Sequence, residues 1–147
     1  MSKVCILCHV VFGTKNRERT INPERKRELY NYFYGILNKK KCLVSRINGM
    51  EDHVHLLFEL HPSVALADIV KILKQGSSNW IRKEWVFPMF RGWGNGYFAA
   101  SIGMDGKEAC RQYIMNQELH HKKCGYKEEL QNALKSMGME WYDDEWK

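Results

Sequence analysis

The stretch Asp52-His53-Val54-His55-Leu56-Leu57 decides how the chain is read. It lies inside the run Met50 to Leu60, which has the apolar character of a strand. Side chains on a strand alternate between faces. His53 and His55 therefore project together, and Val54 and Leu56 project to the other side. Two imidazoles on one sheet face can offer two nitrogens to one metal ion. On spacing alone, a polar strand face with two hydrogen-bonded imidazoles is the commoner outcome. The following Leu56-Leu57-Phe58 makes this a core strand, however, and buried imidazoles need partners.

Working outward, Cys42 to Ile47 reads as a preceding strand, joined through Asn48-Gly49, a strong hairpin signal, with Met50 to Asp52 able to lengthen the turn. Before it, Asn22-Pro23 starts a helix running to about Asn38, with Leu29, Tyr32, Phe33, Ile36 and Leu37 on one apolar stripe. The run Val4 to Phe12, closed by Gly13, reads as a first buried strand. After the histidine strand, Ser63 caps a second helix carrying Leu66, Ile69, Val70, Leu73, Trp80 and Ile81, and Gly76-Ser77-Ser78 is a place for it to weaken or kink. Tyr97 to Ile102 reads as a fourth strand. Asp105 then opens a third helix, with Glu108 in a capping-box position, and this helix runs to about His121. The expected fold is α+β: a ferredoxin-like βαββαβ sheet, the plan of RNA-recognition domains, with two helices on one face and a further helix after the fourth strand. One domain is expected over 1–147, with its core at about 4–121 and an extension at about 122–147. The extension has helical character around Glu128 to Met137 and ends in the aromatic-acidic stretch Trp141 to Trp146.

A length of 147 residues suits one domain with a real core, and a 44% hydrophobic share argues against disorder. The net charge of +6 favours an anionic partner. The five cysteines are an odd number, and Cys5-x-x-Cys8 has no second pair to complete a zinc site. Buried thiols of a reducing compartment are the expected outcome. The opening Met1-Ser2-Lys3-Val4 does not read as a signal peptide, and no apolar run approaches transmembrane length, so a cytoplasmic protein with no membrane partner is expected.

In the third helix, Cys110, Tyr113, Ile114 and Gln117 share one inward stripe, and Tyr113 and Gln117 are one turn apart. A core-facing glutamine needs a hydrogen bond or a metal. A tyrosine hydroxyl is a poor nucleophile at its usual pKa of about 10, but beside a divalent cation that polarises a phosphate it can attack phosphorus. Taken singly, a packing tyrosine is the ordinary outcome. His120-His121 reads as a pair of helix-end cations. The loop Gly13 to Thr20 holds Lys15, Arg17 and Arg19, and the second helix holds Lys74; these suit solvation or phosphate contact. Trp93, in the ring-rich loop Phe87 to Gly96, could stack an unpaired base.

Taken together, His9 to Lys15 (HVVFGTK), Asp52 to Leu57 (DHVHLL), Gly96-Tyr97-Phe98 and Tyr113 to His121 (YIMNQELHH) resemble the IS200/IS605-type single-tyrosine transposases of the HUH endonuclease class. The resemblance runs in order from about Val4 to His121. It implies an enzyme that cuts and rejoins single-stranded DNA at insertion-sequence ends. It further implies Mg²⁺ or Mn²⁺ held by His53, His55 and Gln117, and Tyr113 as the nucleophile forming a 5′-phosphotyrosine. The implied partners are single-stranded DNA with hairpin ends and a second copy of the chain, in a homodimer whose Tyr113 helix can complete the partner's site. The alternative is a catalytically silent or domesticated hairpin-binding module of the same fold. Retention of His53, His55, Tyr113 and Gln117 together favours the enzyme.

Overall fold

In a computed structural model that describes residues 1–121 and 125–140, the chain forms a four-stranded antiparallel sheet with helices on both faces. The strands are β1 (Leu7–Gly13), β2 (Leu43–Met50), β3 (His53–Glu59) and β4 (Phe98–Ser101), in the spatial order β2-β3-β1-β4. Helices α1 (Lys26–Lys39) and α2 (Leu66–Glu84) fill the two crossovers, and α3 (Lys107–Met115), α4 (Gln117–His121) and α5 (Tyr126–Ser136) follow β4. This is the ferredoxin-like arrangement expected from the order of elements. The stretch Trp141 to Trp146 lies outside the described residues, as do the side chains of His120 and His121.

The sheet's two faces have different jobs because the strand period is two. Val10 and Phe12 of β1 and Val54, Leu56 and Phe58 of β3 point to one side. They pack there with Leu29, Phe33 and Leu37 of α1 and Ile69, Val70, Leu73 and Ile81 of α2. The residues between them point to the other side, where Leu7, Leu57 and Ile114 of α3 make a second, smaller core. Leu7, His9, Val11 and Gly13 pair in register with Glu59, Leu57, His55 and His53. The alternation that buries the apolar set therefore also gathers the histidines on the α3 side.

Several local expectations change. The helix starts move: α1 begins at Lys26 behind Arg25 rather than at Asn22-Pro23, and α2 begins at Leu66 behind Ala65 rather than at a cap on Ser63, whose hydroxyl lies 2.7 Å from His61 Nδ1 instead. The Asn48-Gly49 pair is not the hairpin turn: β2 continues through it to Met50, and the chain reverses at Glu51-Asp52. Gly49 serves as a point of close approach, since a Cβ there would sit 2.2 Å from the His53 carbonyl oxygen. The α2 helix passes through Gly76-Ser77-Ser78 unbroken. Gly76 lies against Tyr32 and Ile36 of α1, and Ser77 accepts a bond from the Trp93 indole at 2.9 Å, so a small residue is needed at each place. The Asp105–Glu108 capping box does not form. A 3₁₀ turn over Met104–Gly106 precedes α3, and Glu108 bonds Arg111 and Gln112 instead. Lastly, the third helix is two helices, with a break at Asn116. Asn48 Nδ2 donates to the carbonyls of Ile114 (3.0 Å) and Met115 (3.2 Å). The end of α3 is thus capped by β2 rather than continued.

Gly49→Ala is expected to destabilise the fold by about 1–3 kcal/mol, because the clash is with backbone and not with a flexible side chain. Urea unfolding would show this as a lowered midpoint with an unchanged slope.

Candidate metal centre and nucleophile

Strand β3 delivers His53 and His55 to the face opposite the main core, and both are essentially fully buried. The His53 Nδ1 lies 2.7 Å from Asp52 Oδ1. A carboxylate there keeps the ring proton on Nδ1, so the Nε2 lone pair faces inward. His55 is held the same way by His9 of β1, whose Nε2 is 2.8 Å from His55 Nδ1. Burial, reinforced by neighbouring His55, lowers the His9 pKa to about 3, so this imidazole is neutral and able to accept. Both histidines are therefore oriented by groups outside the metal-facing shell.

The elements after β4 close the centre. Tyr113 on α3 lies edge-on to His55, with ring centroids 5.7 Å apart. Gln117, the first residue of α4, is fully buried, and its Oε1 sits 3.3 Å from His53 Nε2. All four residues singled out for the chemistry thus meet within one chain. Sequence reasoning missed a fifth. Glu129 of α5 is buried, with Oε1 3.0 Å from His55 Nε2 and Oε2 3.7 Å from His53 Nε2. It accepts a hydrogen bond from the Tyr113 hydroxyl and another from Gln117 Nε2 at 3.5 Å. Tyr126, one turn earlier, stacks face to face on His53 with centroids 4.0 Å apart. Its ring occupies the space that a side chain at Gly13 would fill. A signal for Glu129 was present: Tyr126, Glu129 and Leu130 share a helix face by their i, i+3, i+4 spacing. A glutamate on an apolar face needs a partner.

The donors of His53, His55 and Glu129 lie within 4.8 Å of one another. An octahedral cation with ligands at about 2.1 Å places neighbouring donors about 3 Å apart; Glu129 Oε1 and His55 Nε2 stand at 3.0 Å and Gln117 Oε1 and His53 Nε2 at 3.3 Å, while Glu129 Oε2 and His53 Nε2 are wider at 3.7 Å. Two imidazole nitrogens, a carboxylate and a carboxamide oxygen make a mixed N/O set with no thiolate, and such a set fits a divalent cation.

The remaining predicted residues are spread around this centre. Lys15 and Arg17 form the turn that leaves β1, and Asn16 and Arg17 there are both left-handed, at φ 56° and 55°. Arg19 is exposed and lies 3.9 Å from Glu51. Lys74 is half-buried and donates to the carbonyls of Gly94 (3.0 Å) and Gly96 (2.5 Å), so it fastens the glycine-rich loop. Trp93 packs edge-on against Phe12 and Phe90 and is half-buried, with part of its surface lining a groove beside α2. Cys5 is exposed while Cys8 is buried in the core, so the pair makes no shared site.

Comparison with known proteins gives the family. The family model described as "Transposase IS200 like" matches residues 2–117. The transposases of insertion sequence element IS200 from Salmonella typhimurium and Salmonella typhi are each 24% identical, over 74% of this chain and 74% of theirs. A solved structure from Deinococcus radiodurans, assigned as a transposase, is 24% identical. It covers 79% of this chain and 93% of its own, with a TM-score of 0.63. A REP-associated tyrosine transposase bound to a REP hairpin has a TM-score of 0.64 at 11% identity, over 86% of this chain and 77% of its own. The family match ends at Gln117, so Glu129 lies beyond it.

Removing the carboxylate behind His53 by Asp52→Ala should weaken Mn²⁺ binding roughly 10–100-fold in calorimetry, with the circular dichroism spectrum unchanged. Acid should also loosen the fold. His9 ionises at about 3 when folded and near 6.5 when unfolded, so the unfolded chain binds more protons between those values. Stability is full above pH 6.5 and declines as pH falls towards 3. His9→Gln should flatten that part of the profile in urea titrations at pH 7 and pH 4.5.

Proposed function

The chain belongs to the IS200-like transposase family, and from that premise we propose that it cleaves and rejoins single-stranded DNA through a 5′-phosphotyrosine on Tyr113. The observation that carries this reading is the convergence of His53, His55, Gln117 and the Tyr113 hydroxyl on one buried point. His53 and His55, with Gln117 and Glu129, would hold Mg²⁺ or Mn²⁺. Such an ion polarises the scissile phosphate and offsets the charge that develops on it.

This chain's residues then do the rest. Asp52 and His9 fix the two imidazoles, so no reorganisation is needed when the phosphate arrives. The Tyr113 oxygen bonds to phosphorus while the bond from phosphorus to the 3′-oxygen breaks, leaving a free 3′-hydroxyl. The phenolic proton has an acceptor in place, because the hydroxyl already donates to the Glu129 carboxylate. Rejoining is the reverse attack, by a 3′-hydroxyl on the phosphotyrosine. Since α5 lies over the buried centre, part of it must yield for a phosphodiester to reach Tyr113. Lys15, Arg17 and Arg19 at the end of β1 supply phosphate contacts beside the centre. DNA with hairpin ends is the proposed substrate. A homodimer would bring two such centres to two strand ends, although Tyr113 and Gln117 already reach the histidines of their own chain.

Incubation with single-stranded DNA carrying the hairpins that flank the gene, plus Mn²⁺, should yield a covalent protein–DNA adduct that Tyr113→Phe abolishes. An adduct that survives this substitution would remove Tyr113 as the nucleophile. His53→Ala should abolish the adduct and leave hairpin affinity largely intact. A catalytically silent binding module would give hairpin binding with no adduct from the native chain. Glu129→Ala should lower Mn²⁺ affinity in calorimetry, the readout that tests its place among the ligands.

A further inference from the structure

A second concave feature lies on the other side of the Lys15–Arg17 turn from the metal centre. It is a groove of about 890 Å³ between the polar face of α2 and the glycine-rich loop Arg91 to Gly96. Both walls are fixed. Lys74 and Ser77 of α2 bond the loop at Gly94, Gly96 and Trp93. The amide of Lys15 donates to the Gly92 carbonyl and that of Gly94 to the Gly13 carbonyl, each at 2.9 Å. Gly92 is buried at φ +111°, and the Arg82 guanidinium lies beside it.

The lining has a clear chemical bias. Lys15, Lys74, Arg82 and Arg91 contribute cations, and among the described residues no carboxylate lines the groove. Lys74 is spent on the loop, and Arg91 lies 3.2 Å from Glu18, while Lys15 and Arg82 stand exposed. Between them stand the carboxamides of Gln75, Asn79 and Asn95. Cations spaced along a cleft suit a chain of phosphates. Carboxamides carry both donors and acceptors and suit base edges, which are open only where a strand is unpaired. Trp93, half-buried against Phe12, also lines the groove, so hydrogen bonding and charge there stand beside one aromatic edge.

The groove also leads to the metal centre. Thr14 donates its amide to the Asp52 carbonyl at 2.8 Å, and Gly13 pairs with His53, so the groove's lip at Lys15 adjoins the strand ends carrying Asp52 and His53. We infer that this groove binds an unpaired nucleic-acid strand, with Lys15, Arg82 and Arg91 on its phosphates and Gln75, Asn79 and Asn95 on its bases. Only the ligand's identity as DNA rests on the transposase reading.

Fluorescence anisotropy in the non-cleaving Tyr113→Phe background tests this, using labelled oligo-dT, oligo-dA and oligo-dC and a blunt-ended hairpin. Arg82→Ala with Arg91→Ala should weaken binding of every unpaired oligonucleotide by about tenfold, reduce the salt slope by about one per arginine and spare the blunt hairpin. Asn79→Ala with Gln75→Ala, both exposed positions, should change the ranking among the three oligonucleotides. Unchanged affinity in the arginine variant overturns the proposal, and so does an equal loss on the blunt hairpin, which would mark general attraction to polyanions. An unchanged ranking in the carboxamide variant overturns the assignment of base contacts. Because these assays need no cleavage, a failed adduct assay on the native chain stays distinguishable from a failed groove.

Discussion

The structure depends on the antiparallel pairing of β1 with β3. Its register places His9, Val11 and Gly13 opposite Leu57, His55 and His53. A slip of one residue would send the histidines into the packed core and Val54 and Leu56 out of it. Burial of Val10, Phe12, Val54, Leu56 and Phe58 under α1 and α2 makes such a slip costly. The apolar face thus holds the polar face in register, and the geometry of the metal centre follows from a core that contributes nothing to its chemistry.

On the polar face, order comes from hydrogen bonds between charged or titratable groups. Asp52 sits behind His53, and His9 behind His55, while Gln117 and Glu129 face the two imidazoles from separate helices. Buried polar groups gathered this closely are costly unless each finds a partner, and several find one inside the cluster: Asp52 for His53, His9 for His55, and Glu129 for the Tyr113 hydroxyl. The break at Asn116 belongs to the same design. Asn48 stops α3 by capping its carbonyls, and α4 restarts with Gln117 turned fully into the centre. Two small residues admit this crowding: Gly49, which lets β2 approach the His53 carbonyl, and Gly13, which leaves room for the Tyr126 ring.

The charge distribution extends the same logic to the surface. The centre is acidic enough to hold a cation, and the cations that can meet a strand lie outside it, along the Lys15–Arg17 turn and the α2 groove. Among the described residues no helix is long and apolar enough to cross a membrane.

Much of this was legible in the chain itself. Alternation of apolar and polar residues along β1 and β3, and the 3.6-residue stripes of α1 and α2, give the order of elements, because burial imposes those two periods directly on sequence. Periodicity put His53, His55, Tyr113 and Gln117 on core-facing stripes, where packing or hydrogen bonding is the ordinary outcome; their reading as one chemical set came from the resemblance to the single-tyrosine transposases. What the sequence could not supply depends on contacts between distant segments. The true hairpin turn at Glu51-Asp52 was decided by the close packing of Gly49, and the helix break at Asn116 by a side chain on β2. Glu129 looks like any glutamate of a charged amphipathic helix until α5 folds back over the sheet. Periodicity is local and survives in one dimension, whereas the partners of a buried charge are known only once the chain has closed on itself.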